Sequence, residues 1–186
     1  MRVISGYLKG RNILGYNTPG TRPTMDRVKE SMFASIQDYI DNSTILDLFC
    51  GTGSLGIESL SMGSNKCYFV DNGKEILKYL NKNIDNLNIK DKSIVINKDY
   101  KVALENFKKS NIYFDIIYID PPYKLDMAVK SIDYILNNNL LSKDGVIIIE
   151  TDEEERELEE LKNIDVNIYN VKRYGRVKLI FLRRKE

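Results

Sequence analysis

A tetrapeptide late in the chain carries groups suited to chemistry on an amine. Asp120-Pro121-Pro122-Tyr123 directly follows the apolar run FDIIYI. The two prolines fix φ and remove two N–H donors, which leaves the Asp120 carboxylate and the Pro121 carbonyl as acceptors beside an aromatic ring. These groups suit a planar amine on a nucleobase that stacks on the ring. We expect a catalytic site formed by Asp120, Pro121, Pro122 and Tyr123. A loop without a ligand is the alternative.

A glycine-rich segment forms the second motif. In LDLFCGTGSLG an apolar strand pattern leads into Gly51, Gly53 and Gly56, where a backbone without side chains can approach a ligand closely. Asp71 ends the next apolar run, and a carboxylate there can accept both hydroxyls of a ribose. The spacing also satisfies G-x-G-x-x-G, which is typical of dinucleotide sites. A tight strand-to-helix turn without a ligand is a further alternative.

The acid before the glycines favours one of these ligands. Asp47 would repel a pyrophosphate, which glycine loops and helix N-termini bind as an anion. The same carboxylate suits S-adenosylmethionine, which carries an ammonium and a sulfonium but no phosphate. We therefore predict that S-adenosylmethionine is the cofactor, held at Asp47, Cys50, Gly51, Thr52, Gly53, Asp71, Asn72, Asp99, Tyr100 and Asp120.

Two of these residues, Asp99 and Cys50, have more modest alternatives. Asp99 could accept the adenine amine of the cofactor or cap the helix that follows it, and both roles could hold together. Cys50 and Cys67 are expected to be small apolar side chains rather than nucleophiles.

Composition excludes several other kinds of site. The chain of 186 residues has no histidine and two cysteines, with 42% hydrophobic and 30% charged residues. Histidine-dependent nucleophiles, histidine-ligated zinc and four-thiolate metal sites are therefore excluded, and we expect no metal. No apolar run reaches the roughly 18 residues of a membrane span. No signal-peptide pattern opens the chain. We expect a cytoplasmic monomer.

Short apolar runs alternate with helical patterns and must position these motifs. Because strand–helix alternation is typical of a parallel sheet covered on both faces, we expect an α/β fold. The predicted strands are Thr44–Phe49, Cys67–Asp71, Ser93–Asn97, Phe114–Ile119 and Val146–Glu150. A C-terminal antiparallel hairpin is expected between 166 and 182, around Gly175, and a small N-terminal hairpin in Arg2–Tyr16. Met25–Tyr39 is predicted to be helical, after an extended Arg22-Pro23-Thr24. We expect one domain over 1–186, with 1–24 as a basic extension and 25–186 as the cofactor-binding core.

Positive charge is concentrated at the two ends of the chain. The net charge is only +1, but residues 1–29 and 172–186 are both rich in lysine and arginine. If the fold brings these ends together they would form one phosphate-binding face. A solvated surface with no partner is the alternative. The acidic run DEEERELEE is expected to be an exposed helical turn or loop.

The segments LDLFCGTG, FVD, NKDY and IDPPY, preceded by RPTMDRVKESMF, resemble the RsmD family of 16S ribosomal RNA guanine-N2 methyltransferases over nearly the whole chain. The resemblance implies a Rossmann-like class I methyltransferase whose seven-stranded sheet is mostly parallel. It also implies transfer of a methyl group from S-adenosylmethionine to the N2 amine of a guanine. The implied partner is small-subunit ribosomal RNA, free or within an assembling 30S particle.

The same resemblance assigns roles to individual residues. Asp47, Gly51 and Gly53 would hold the methionine moiety, Asp71 the ribose and Asp99 the adenine. Lys29 stands where the family often has arginine, so a phosphate contact there would be weakened. The residues expected to contact RNA, from this resemblance and from charge, are Arg2, Lys9, Arg11, Arg22, Thr24 and Arg27.

Three other functions fit part of the pattern. An adenine-N6 methyltransferase acting on DNA or RNA would use the same tetrapeptide. A NAD-dependent oxidoreductase would explain the glycines but leaves Asp47 and Asp120 without a role. A non-catalytic RNA-binding assembly factor would retain the fold but has no use for the acids.

Overall fold

The computed structural model describes residues 1–15, 22–122 and 126–185, without the side chains of residues 22–24. The strands of this part of the chain are β1 (Thr44–Asp47), β2 (Lys66–Asp71), β3 (Ser93–Asn97), β4 (Phe114–Ile119), β5 (Leu141–Thr151), β6 (Val166–Tyr174) and β7 (Val177–Arg184). Its α-helices are α1 (Arg22–Ile40), α2 (Ser54–Ser61), α3 (Lys74–Leu87), α4 (Tyr100–Lys109), α5 (Met127–Asn137) and α6 (Glu154–Leu161). A short 3-10 turn at Lys90–Lys92 precedes β3.

The strands form one seven-stranded sheet in the order β3-β2-β1-β4-β5-β7-β6. Strands β1 to β5 are parallel, and β7 runs antiparallel between β5 and β6. Residues of α1, α2 and α3 pack on one face of the sheet, and residues of α4, α5 and α6 pack on the other. The predicted α/β fold, with a mostly parallel sheet and an antiparallel C-terminal hairpin, is confirmed.

Several element boundaries differ from the sequence prediction. Helix α1 begins at Arg22, so the segment expected to be extended is helical. Proline is tolerated in a first helical turn because the N–H groups there have no acceptor within the helix. Strand β1 ends at Asp47 rather than Phe49, and β5 begins at Leu141, five positions before Val146. The acidic run forms α6, where Arg156 pairs with Glu153 and Glu160 on the exposed surface.

The N-terminal hairpin is present in a reduced form. Its two arms pair antiparallel through one bridge, Arg2 with Asn12, rather than through two regular strands. The segment is instead held by the core. At its turn the N–H groups of Tyr7 and Leu8 donate to the carbonyl and the hydroxyl of Ser61, at 3.0 Å each. Because Ser61 ends α2, the turn lies toward the amino ends of the strands.

A buried ion pair joins the N-terminal segment to two helices. Lys29 of α1 and Glu58 of α2 are 5% and 0% exposed, and Lys29 Nζ lies 2.8 Å from Glu58 Oε2. Glu58 Oε1 also accepts the N–H groups of Ile4 at 2.9 Å and Ser5 at 2.6 Å. Lys29 Nζ donates in addition to the Arg2 carbonyl at 3.3 Å. Both charges therefore have several partners, as buried charges require.

Among the helices of the described ranges, none combines the length and the apolar character that crossing a membrane requires.

We predict that Lys29→Met and Glu58→Leu each lower the free energy of unfolding by about 3–5 kcal/mol, since each leaves a buried charge unpaired. The double variant should lose less than the sum of the two single losses, because it leaves neither charge. Urea denaturation of the four proteins measures this coupling. Additive losses would show that the two charges do not depend on each other.

Candidate active site

The predicted site residues lie where the strand order of the sheet reverses. From β1 the sheet continues to β2 and β3 on one side and to β4 and β5 on the other. In open α/β sheets, ligands bind beyond the carboxyl ends of the strands at such a point. Asp47, Asp71 and Asp120 end or directly follow β1, β2 and β4, so the topology brings together three acids that are distant in sequence.

Two glycines of the loop after β1 adopt left-handed backbone conformations. Gly51 has φ of 54° and Gly53 has φ of 89°. A Cβ on Gly53 would lie 2.4 Å from Leu80 Cδ1, whereas a Cβ on Gly51 would meet nothing within 4 Å. Gly51 therefore faces open space where a ligand can approach the backbone. Gly56 has a different reason to be glycine, because a Cβ there would lie 2.3 Å from the Phe69 ring. It allows α2 to pack closely on β2.

Asp71 holds this loop in place while remaining partly accessible. Asp71 Oδ2 accepts the Gly51 N–H at 2.9 Å, and Asp71 Oδ1 accepts the Gly73 N–H at 2.8 Å. The carboxylate is thus fixed beside the glycine loop at the end of β2. This position is the one expected for an acceptor of ribose hydroxyls.

Asp47 is the most deeply buried of these acids, at 3% exposure. Its Oδ2 accepts the Gly56 N–H at 3.0 Å. Burial and, to a smaller extent, the nearby Asp71 charge raise the pKa of Asp47 to about 7, although the hydrogen bond from the Gly56 N–H acts in the opposite direction. A cationic ligand bound beside Asp47 would stabilise the ionised form of this carboxyl.

The remaining predicted cofactor residues divide into packed and open positions. Asp99 is exposed and caps α4 by accepting the Lys101 N–H at 2.9 Å, so its capping role is confirmed. Tyr100 is buried and its ring lies 5.3 Å from that of Phe49. Asn72 is exposed beside Asp71. Cys50 is buried, and burial raises the pKa of its thiol, which makes the thiolate inaccessible.

Thr52 supplies a test of whether a cofactor fits this loop. Its side chain is 2% exposed, and its Oγ1 atom has no hydrogen-bond partner within the described part of the chain. Its carbonyl accepts the Asn83 Nδ2–H at 3.0 Å, and the same amide binds the backbone of Leu14. An unpartnered buried hydroxyl and an open face at Gly51, flanked by two acids, fit a polar, cationic ligand. The residues are thus compatible with S-adenosylmethionine.

Asp120 follows β4 and faces a small cavity. A cavity of about 120 Å³ is lined by α1, α2 and strand ends, with Asp120 and Glu150 in its wall. Burial and the Glu150 and Asp47 charges raise the pKa of Asp120. Pro121 and Pro122 lie beside it in an adjoining cleft of about 350 Å³. Tyr123 lies outside the described residues.

The N-terminal segment, α1 and α2 contribute most of the remaining cavity wall. Met1, Met25, Val28 and Leu55 contribute apolar surface. Ser54 Oγ lies 2.9 Å from Met1 Sδ, which fixes the first residue against the start of α2. The N-terminal segment therefore contributes Met1 to the wall of the space in front of Asp120.

The candidate RNA-binding residues occupy two separate places. Arg2 and Arg27 lie near the start of α1, at the carboxyl ends of the strands, and Arg2 forms an exposed ion pair with Asp26 at 3.4 Å. Arg11 donates to the Asn86 carbonyl at 2.7 Å in the last turn of α3. Lys9 is exposed in the hairpin turn, also toward the opposite edge. The side chains of Arg22 and Thr24 lie outside the description.

Two expectations about positive charge need correction. Lys29 is buried in its ion pair with Glu58, so it cannot contact phosphate. Most of the C-terminal cations are held by the protein itself, since their partners are Ser35 for Lys172, Glu154 for Arg173, the Tyr169 ring for Arg183, the Leu141 carbonyl for Arg184 and Asp165 for Lys185. These cations are therefore not a free continuation of an N-terminal phosphate-binding face.

The sequence analysis did not single out Glu150, which lines the cavity, or Glu58, which binds the N-terminal segment to α1. Glu150 ends the apolar run VIIIE, and an acid at the carboxyl end of a central strand is a signal that could have identified it. Glu58 lies within α2 and carries no such signal, because its partners come from distant segments. Within the residues that the structure describes, no group of three or more acids and cysteines is arranged to hold a metal ion.

Comparison with known proteins agrees with this architecture. The family model described as Conserved hypothetical protein 95 matches residues 1–183. The rRNA methyltransferase YlbH of Bacillus subtilis, a provisional assignment, is 40% identical over 154 residues, covering 83% of this chain and 84% of that protein. Ribosomal RNA small subunit methyltransferase D of Haemophilus influenzae is 32% identical over 154 residues, covering 83% and 80%.

A solved structure gives the same result for the fold. The Escherichia coli protein YhhF, described provisionally as a methyltransferase, superimposes with a TM-score of 0.84 at 23% identity, covering 100% of this chain and 99% of that one. At this identity the likeness concerns the fold, which is that of class I S-adenosylmethionine-dependent methyltransferases. With the family model matched over nearly the whole chain, the protein belongs to the Conserved hypothetical protein 95 family, the RsmD family of methyltransferases.

Proposed function

We propose that this protein transfers a methyl group from S-adenosylmethionine to the N2 amine of a guanine in small-subunit ribosomal RNA. The observation that carries the proposal is the position of Asp120 and Pro121, directly after β4 and across the strand-order reversal from the glycine loop. The relatives named as ribosomal RNA small subunit methyltransferase D support the substrate class. The choice of guanine N2 rests on the family resemblance and on the amine-accepting character of the site.

Each acid has a role that follows from its surroundings. S-adenosylmethionine, when bound, supplies a methyl group on a positively charged sulfur. Asp47 offsets positive charge beside the loop, and Asp71 accepts the ribose hydroxyls. Asp120 and the Pro121 carbonyl accept the N–H groups of the target amine and turn its nitrogen lone pair toward the methyl group. Asp120 can then take the proton that the nitrogen loses, helped by the raised pKa that its acidic neighbours produce.

The substrate must present one unstacked base to the cavity. Sequence-specific RNA recognition uses loops and unpaired nucleotides, because extrusion of a paired base costs a few kcal/mol. Tyr123 is proposed to stack on the base. We further propose that residues 1–186 act as one domain and as a cytoplasmic monomer, with 1–24 as a basic extension and 25–186 as the cofactor-binding core.

The decisive experiment is nucleoside analysis after transfer of labelled methyl groups to unmodified small subunits, free small-subunit RNA and duplex DNA. N2-methylguanosine in the ribosomal substrate is the expected product. N6-methyladenine would instead identify an adenine methyltransferase, which the Asp-Pro-Pro-Tyr motif also fits. Cofactor binding without transfer to any substrate would favour a non-catalytic assembly factor.

Asp120→Asn should lower kcat by about 10²- to 10⁴-fold, the usual contribution of a positioned proton acceptor. The dissociation constant for S-adenosylmethionine should hardly change, as measured by calorimetry. Asp71→Asn is the complementary variant and should mainly weaken cofactor binding. Full activity in Asp120→Asn would rule out the proposed role of this carboxylate.

Cofactor binding should strengthen as pH rises through about 7, where Asp47 ionises. A cationic ligand stabilises the ionised carboxylate, so binding below this pH must first release a proton. One unit below the pKa, affinity should be weaker by about tenfold. Titrations across this range measure the effect, and Asp47→Asn should bind more weakly with a flat pH profile. A wild-type profile equally flat would contradict this role of Asp47.

Neutralising the two arginines near the cavity should weaken RNA binding in a salt-dependent manner. The binding constant K falls as salt rises, and each lost phosphate contact on single-stranded RNA makes the slope of log K against log salt less steep by roughly 0.7. We expect Arg2→Gln/Arg27→Gln to reduce this slope in filter-binding titrations. Lys9→Gln/Arg11→Gln removes the same charge at the opposite edge and should have the smaller effect. An unchanged slope in the first variant would place the RNA elsewhere.

A further inference from the structure

We propose that Glu150 selects guanine by accepting the N1–H of the target base, next to Asp120, which accepts the N2 amine. This inference rests on the proposed function and adds the residue that distinguishes guanine from other bases carrying an amine. It comes from the register of β4 and β5, the shared cavity and the hydrogen-bonding pattern of the purine edge.

Sheet register places Glu150 beside Asp120 on the same face. Ile119 of β4 pairs with Ile149 of β5, so Asp120 and Glu150 occupy the next position on neighbouring parallel strands. Neighbouring strands are about 4.8 Å apart, and side chains alternate between faces along each strand. Ile119 and Ile149 lie in the core under α4, α5 and α6. Asp120 and Glu150 therefore point to the opposite face, toward α1 and α2.

Both acids line a cavity on this face of the sheet, and both also border the adjoining cleft of about 350 Å³. Both acids line the 120 Å³ cavity together with Val28 and Lys29 of α1 and Ser54 of α2. Lys29, the cation in this wall, is already bound to Glu58. The Glu150 carboxylate has no hydrogen bond or ion pair with any other side chain that the structure describes. A half-buried acceptor is thus left available beside Asp120.

The chemistry of the purine edge determines what this pair can recognise. Guanine presents two adjacent donors, the N1–H and the N2 amine, to a pair of acceptors. Adenine and 2-aminopurine present an amine next to an unprotonated ring nitrogen, which is itself an acceptor. A carboxylate opposite that nitrogen would be repelled, whereas a carboxylate opposite N1–H forms a charge-assisted hydrogen bond. Glu150 therefore favours guanine, while Asp120 alone would accept any exocyclic amine.

The test compares two bases that share the N2 amine and differ at N1. Small-subunit RNA, free or assembled into subunits as activity requires, is ligated to carry guanosine or 2-aminopurine riboside at the methylated position. The wild-type protein should prefer guanosine in kcat/KM by about tenfold to a hundredfold. Glu150→Gln, whose amide can donate or accept, should reduce this preference to within about threefold. Its activity on guanosine should fall as its activity on 2-aminopurine rises.

Asp152→Asn is the matched control. It removes one negative charge from the wall of the 350 Å³ cleft, whereas Asp152 does not line the 120 Å³ cavity. It should keep the wild-type preference. If Glu150→Gln lowers both activities equally, Glu150 acts only on structure or on general electrostatics and the inference is wrong. An unchanged preference in Glu150→Gln, with normal cofactor binding, would also overturn it. Failure of the wild-type protein to methylate guanosine would instead reject the proposed function.

Discussion

The ion pair between Lys29 and Glu58 is the interaction on which the enclosure of the site depends. Glu58 binds the backbone of Ile4 and Ser5 as well as the Lys29 ammonium, and Lys29 binds the Arg2 carbonyl. One buried carboxylate therefore holds the N-terminal segment, α1 and α2 together. Since Met1, Val28 and Ser54 all line the cavity in front of Asp120, this arrangement gives the site its wall.

Negative charge is concentrated at the carboxyl ends of the central strands, and each acid is stabilised to a different degree. Asp71 has two backbone N–H donors, and Asp47 has one. Asp120 and Glu150 have no such donors within the described residues. Burial raises the pKa of both carboxyls, and the Glu150 charge raises that of Asp120 further. These two carboxylates are therefore stabilised only when a ligand that carries positive charge or hydrogen-bond donors binds in the site. A cationic ligand suits the side nearest Asp47, and a hydrogen-bond donor suits the side nearest Asp120.

The positive charges differ from these acids, because most of the cations near the C-terminus already have partners within the protein. The C-terminal cations mostly bind carboxylates, carbonyls and aromatic rings of the protein itself, so they contribute to packing of the final hairpin. Arg2 and Arg27 lie near the cavity, where a phosphate contact would orient the target nucleotide without reading its base. Under the proposed function, recognition of the RNA backbone would fall to cations on α1 and the N-terminal segment, and recognition of the base to acids on the strands.

The sequence by itself determined the fold class, the loop glycines and three of the acids, because these depend on local patterns. Apolar runs of strand length mark β1 to β5, and acids that end such runs must lie at one edge of a parallel sheet. The sequence could not show that Arg22 begins a helix, since the propensity of one turn is weak. The tertiary structure alone decided that Lys29 is buried, that Gly56 serves packing and that Glu150 faces Asp120. Those properties depend on which distant segments meet, and register, burial and charge pairing exist only once the chain has folded.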